Sequence, residues 1–114
     1  MMAITTHILD TARGKPASGM PVALDYLVSG RSWRRIGKGA TDADGRVATL
    51  FPSGMRLQEG TYRLTFDTAA YFGSQNMMSF HPEVSVIFDV RDASQHYHIP
   101  LVADAIRIYT YRGS

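Results

Sequence analysis

The side chains best suited to chemistry gather near the end of the chain, in Gln95-His96-Tyr97-His98-Ile99-Pro100-Leu101 and in the closing Tyr111-Arg112-Gly113-Ser114. In extended backbone successive side chains alternate between faces, so His96 and His98 share one face while Tyr97, Ile99 and Leu101 share the other. With the apolar set in the core, both imidazoles point outward. An imidazole exchanges protons near neutral pH, and the tail adds a guanidinium and a hydroxyl. A His-x-His pair on one strand face also suits zinc, but no clear third ligand accompanies it, so no metal is expected. Ser114 is a poor nucleophile, because it sits beside its own carboxylate and no Ser-His-Asp order is evident.

Two more candidates lie upstream. Residues 3–9 alternate, placing Ile4, Thr6 and Ile8 on one face and Thr5, His7 and Leu9 on the other, which puts His7 on a half-buried strand. Thr41-Asp42-Ala43-Asp44-Gly45-Arg46 has the composition of a tight turn with Gly45 in a left-handed conformation, and it aims the cation of Arg46 at one place. The same run resembles the first half of a calcium loop, but the distal bidentate Glu and flanking helices of an EF-hand are missing. Every candidate has an ordinary explanation beside the chemical one. A single His on a strand is commonly a surface or hydrogen-bonded residue, Arg46 a turn residue and Arg112 a solvated one. His81, in a Pro-containing turn, reads as structural, and Met77, Met78 and the aromatic residues between 62 and 72 read as packing.

The elements that must position these residues are mostly short strands. Residues 10–20 are rich in turn formers and read as a loop. Residues 21–28 and 32–38 form two strands joined by a hairpin turn, residues 61–67 the clearest half-buried strand, and residues 84–90 another. Between the last two the period changes, and a cap at Asp67 or Thr68 opens a helix of about two turns, the only one expected. Residues 95–102 and 105–111 complete the set. Seven or eight short strands with regularly spaced turns and one short helix predict an all-β, two-sheet sandwich.

Composition limits what such a sandwich can do. The 114 residues fit one domain, 1–114, and at 45% hydrophobic they can fill one core. Twelve basic against ten acidic residues give a net charge of +2, too even for a nucleic-acid surface. The absence of cysteine removes disulfides, thiolate metal sites and thiol nucleophiles. No stretch approaches the roughly 20 apolar residues of a membrane span, so no membrane partner and a cytoplasmic location are expected.

The segments Thr6 to Thr11, Thr41 to Arg46, Tyr62 to Thr68, Phe80 to Val84, Val90 to Asp92, Gln95 to Leu101 and Tyr111 to Ser114 together resemble the transthyretin-related proteins, specifically the 5-hydroxyisourate hydrolase branch. The likeness covers nearly the whole chain. Its most specific parts are the His-Tyr-His strand and the terminal tetrapeptide, which the hormone-carrying transthyretins lack. It implies a transthyretin-like sandwich of two four-stranded sheets, a helix after the fifth strand, and a homotetramer built as a dimer of dimers. It also implies hydrolysis of 5-hydroxyisourate to 2-oxo-4-hydroxy-4-carboxy-5-ureidoimidazoline without a cofactor. His7, Arg46 and His98 take the catalytic positions, and Tyr111, Arg112, Gly113 and Ser114 bind substrate, with one chain's tail completing another chain's site. The likeness breaks at residues 104–109, Asp-Ala-Ile-Arg-Ile-Tyr, where the family usually has Ser-Pro-Tyr-Gly-Tyr-Ser. Such chemistry needs a base for water and positive charge for a developing oxyanion. His7 and His98 supply the base and the donor for the leaving nitrogen, with His98 favoured as the base although residue types do not decide between the two, and Arg46 supplies the positive charge. The competing expectation is a small-ligand binding module without turnover, whose channel would be lined by apolar and hydroxyl groups instead.

Overall fold

The computed structural model describes residues 3–113. The longest strands are those with the cleanest alternation. They are β4 (Pro21–Ser29), β5 (Ser32–Ala40), β6 (Gly60–Phe66) and β7 (Val84–Val90), which form an antiparallel sheet in the order β5-β4-β6-β7. Val22, Leu24, Tyr62, Leu64 and Phe66 on its inner face are buried. Between Leu24 and Asp25 the register of β4 against β5 shifts, and Asp25 is buried too.

The second sheet is built from short pieces: β1 (Ile4–Thr5), β2 (Ile8–Asp10), β3 (Lys15–Pro16), β8 (Tyr97–His98), β9 (Leu101–Ala103) and β10 (Ile108–Thr110). β1 pairs in parallel with β8, β2 pairs in parallel with β9, and the four-stranded part runs β10-β9-β2-β3. The two parallel pairings are one ladder with an interruption. Its bonds run from Tyr97 N–H to the Ala3 carbonyl (2.8 Å), from Ile99 to Thr5 (2.9 Å) and from Leu101 to His7 (3.0 Å) in constant step. If β1 with β2 and β8 with β9 each count as one interrupted strand, the two-sheet sandwich of eight strands expected from the sequence is recovered.

The interruption has a local cause. The hydroxyl of Thr6 donates to the Ile99 carbonyl at 2.7 Å, taking the acceptor that lies between the Ile99 and Leu101 bonds of this ladder, while Pro100 faces the opposite edge, the side of β10 and the tail, where it has no N–H to give. The expected unbroken strands over 3–9 and 95–102 therefore each become two. The loop over 10–20 contains the two-residue β3, and the strand expected over 105–111 shortens to Ile108–Thr110. There Asp104 folds the chain back by accepting from the N–H groups of Ile106 (2.8 Å) and Arg107 (2.6 Å).

Ile4, Ile8, Tyr97, Ile99 and Leu101 form the other wall of the core, so the alternation read from sequence holds across the break. Each fully buried Leu or Ile side chain stabilises the fold by about 2 kcal/mol. Helix α1 (Thr68–Gly73) is capped by Asp67, whose carboxylate accepts from Ala70 N–H. Its buried Tyr71 donates to Asp10 at 2.7 Å, which fixes the end of β2 three residues beyond His7. No helix among the described residues is long and apolar enough to cross a membrane.

Candidate active site

The break in the ladder is where the chemistry collects. His98 ends β8 with its ring half-buried, and His7 occupies the gap between β1 and β2. The gap leaves room for the Thr41–Arg46 turn to dock on the free side of the strand: Ile8 N–H donates to the Gly45 carbonyl at 2.9 Å. Gly45 has the expected left-handed backbone, with φ of 78°. It is also required for lack of space, since a Cβ there would lie 2.5 Å from the Ile8 carbonyl oxygen and 3.2 Å from Cδ2 of His7. Asp42 holds the turn, its carboxylate accepting from the N–H groups of Asp44 (2.9 Å) and Arg46 (3.0 Å). Arg46 is thereby delivered beside His7 and His98.

Electrostatics register that proximity. The His98 pKa lies below that of a free imidazole, first because burial disfavours its cation, then because Arg46, His96 and His7 repel it. Among the described residues Arg46 forms no ion pair. Three imidazoles and a guanidinium thus face one place, a poor site for a cation and a good one for an electron-rich, carbonyl-bearing molecule. No group of three or more His, Asp or Glu among the described residues is arranged to hold a metal ion.

Thr5 is a site residue to which the sequence reading gave no chemical role. Its Oγ1 lies 2.8 Å from Nδ1 of His98 and 3.0 Å from Nε2 of His96, and the two rings sit 6.4 Å apart at an interplanar angle of 23°. The available signal was that Thr5 shares the His7 face of its strand.

The tail divides. Gly113 donates its N–H to the carbonyl of His98 at 2.7 Å and forms an antiparallel bridge with it. That bridge continues, across the break at Pro100, the register in which Ile108, Tyr109 and Thr110 pair with Ala103, Val102 and Leu101. The divergent residues 104–109 therefore leave the tail in step. Arg112 does not point at His98. Its guanidinium carbon lies 4.3 Å from the centroid of the Tyr97 ring, and it donates to Gln95 Oε1 at 2.8 Å. Arg112 and Gly113 line an open cleft of about 500 Å³ with Gln95 and His96. Tyr111, again with Arg112, lines a second groove, of about 250 Å³, with Val86, Phe88 and Ile99. Ser114 lies outside the described residues. The bond between Gly113 and His98 ties the tail to the site strand of its own chain.

Comparison with known proteins agrees with this arrangement. The sequence profile of the HIUase/Transthyretin family matches residues 4–113. The chain is 44% identical to the 5-hydroxyisourate hydrolase of Deinococcus radiodurans, over 97% of this chain and 95% of the relative. Among solved structures, the 5-hydroxyisourate hydrolase of Klebsiella pneumoniae superimposes with a TM-score of 0.83 at 33% identity, covering 97% of this chain and 98% of that one. Transthyretin from Sparus aurata superimposes with a TM-score of 0.91 at 28% identity, covering 99% and 97%. The backbone is at least as close to the transthyretin as to the hydrolase, so the side chains at the ladder break must discriminate between them.

Proposed function

Because the chain belongs to the HIUase/Transthyretin family, we propose that it hydrolyses 5-hydroxyisourate to 2-oxo-4-hydroxy-4-carboxy-5-ureidoimidazoline, the ring-opening step after urate oxidation. The observation that carries this reading is the meeting of His7, Arg46 and His98 at one break in the sheet, with Arg46 free of any acidic partner among the described residues. A binding module for an apolar ligand has no use for such a set.

In this reading His98 takes a proton from water through Nε2 as the oxygen bonds to the ring carbonyl carbon. Negative charge gathers on the carbonyl oxygen, where the Arg46 guanidinium stabilises it through its planar fork of donors. Collapse breaks the carbon–nitrogen bond, and the proton held by His98 passes to the departing nitrogen. The new carboxylic acid then ionises, releasing one proton to solvent. His7 orients the water or the substrate. The depressed His98 pKa favours this role, because the ring stays neutral and able to accept a proton at neutral pH.

The reading includes one domain over residues 1–114 and a homotetramer. The assembly is supported by the family likeness and by the sheet edges, β5 and β7 of one sheet and β10 and β3 of the other, that each pair on one side only among the described residues. The experiment is an ultraviolet time course of freshly generated 5-hydroxyisourate with and without protein. Faster decay with protein is expected; saturable binding with an unchanged decay rate would make the protein a carrier.

A further inference from the structure

Thr5 touches both imidazoles of the His-Tyr-His strand through one oxygen, at 2.8 Å from Nδ1 of His98 and 3.0 Å from Nε2 of His96. A threonine hydroxyl has one proton to donate and lone pairs to accept with. Between two ring nitrogens it therefore donates to one and accepts from the other, and the protonation of the two rings is no longer independent. On the far edge of the His98 ring, a Cβ on Gly113 would lie 2.7 Å from Cδ2, so the ring is confined from that side as well. Nε2 of His98 makes no hydrogen bond among the described residues.

We propose that Thr5 is a positioning residue for the reaction: its hydroxyl accepts the Nδ1 proton of His98 and donates its own to Nε2 of His96, so that the lone pair of His98 is held on Nε2, facing the substrate. This rests on the reading of His98 as the base, since the opposite direction of the relay would place the proton on Nε2 and leave His98 unable to accept one. The hydroxyl plays the orienting part that a carboxylate plays in a Ser-His-Asp triad. Being neutral, it fixes the tautomer and the ring plane but stabilises the imidazolium less than a carboxylate does, so its loss costs less than loss of a triad carboxylate.

The residue is also well placed to be replaced cleanly. Thr5 is half-exposed on a two-residue strand, and Thr5→Val keeps its shape and strand preference while removing the hydroxyl. Thr5→Ser keeps the hydroxyl and removes the methyl. We expect Thr5→Val to lower kcat by about 10-fold, the order associated with one neutral hydrogen bond, with KM within about 2-fold, and Thr5→Ser to stay within about 3-fold of the parent. A Thr5→Val enzyme with unchanged kcat, or a Thr5→Ser enzyme as slow as Thr5→Val, would overturn the assignment, the second result assigning the effect to packing.

A measurement independent of turnover separates this proposal from the reaction it serves. Nitrogen NMR of histidine-labelled protein should find the His98 proton on Nδ1 in the parent and redistributed toward Nε2 in Thr5→Val. A proton on Nε2 in the parent would refute the tautomer. If the NMR result holds but no 5-hydroxyisourate is turned over, the hydrolase reading fails, and with it any catalytic part for Thr5.

Discussion

Two polar clusters sit on this sandwich and are built on opposite principles. On the regular sheet, buried Asp25 accepts from Arg35 at 2.7 Å and from Arg63 at 3.1 Å, and Arg63 in turn lies 4.3 Å from the centroid of the Trp33 ring. Each charge there has a partner, and nothing is left to bind a ligand. At the ladder break, His7, Arg46, His96 and His98 crowd charges of one sign or none, and Arg46 forms no ion pair among the described residues. The first arrangement stabilises the fold. The second destabilises it modestly and makes sense when a substrate supplies the missing electron density. The surrounding sheets differ in the same way: at Asp25 the β4–β6 ladder is continuous and the β4–β5 ladder only shifts its register, whereas around His98 the ladder is interrupted and a side chain and a docked loop stand in for backbone partners.

The largest effects should come from exchanging damage between the clusters. His98→Ala should lower kcat by at least the roughly 100-fold typical of a general base, with little change in melting temperature. Asp25→Ala should do the reverse. It leaves two arginines facing each other and is expected to cost about 2 kcal/mol of stability, below the range for a fully buried pair because Arg35 and Arg63 reach solvent. Its rate, measured well below its melting temperature, should match the parent. Thermal melts and kcat on both variants decide the matter, and a slow Asp25→Ala enzyme would erase the distinction.

Gly113 offers a finer cut. It faces the His98 ring so closely that a Cβ would lie 2.7 Å from Cδ2. Gly113→Ala should therefore displace the ring and slow turnover by about 10-fold, comparable to losing a well-made hydrogen bond. Unfolding by denaturant should be unchanged, because the closest contact is with a half-buried side chain outside the core. Parent-level turnover would show that the tail only covers the site.

The two sheets were unequally legible in the sequence, for a physical reason. Alternation reports burial of one face, so β4, β6 and β7 could be read directly, as could the faces of the site strands: Tyr97, Ile99 and Leu101 are buried as expected, and His96 and His98 look out. Alternation carries no record of which backbone bonds a strand gives up. The break at Thr6 and His7 depends on a hydroxyl meeting Ile99, and the β3 pairing depends on the path of a loop. His7, Arg46 and His98 were grouped into one site by the family likeness; on residue types alone each had an ordinary alternative. The Thr5 contacts escaped because they join residues 91 and 93 positions apart. The contacts of Arg112 could not be read from the sequence for a simpler reason. The ring of Tyr97 and the amide of Gln95 offer its guanidinium stacking and a hydrogen bond close at hand.

The smallest predicted effect tests the like-charge character of the open cluster itself. The pKa of His98 is lowered first by burial and second by Arg46. Its neutral form is the base, so kcat/KM should fall as pH drops through that lowered pKa, placing the acid limb below the value of a free imidazole, about 6.5. Arg46→Met removes the second cause and leaves the first, so the limb should move up toward 6.5 without reaching it. Arg46→Lys keeps the charge, so the limb should stay in place while the rate drops for want of the planar fork. Stability should follow the same sign. A folded pKa below the unfolded one means the unfolded chain binds the proton first as pH falls, so the His98 contribution is complete above about 6.5 and is lost on acidification through the folded value. Arg46→Met should narrow that window and make the protein slightly less acid-sensitive. An acid limb that does not move in Arg46→Met, with the fold intact, would mean that Arg46 and His98 do not share a field, and the open cluster would reduce to separate surface residues.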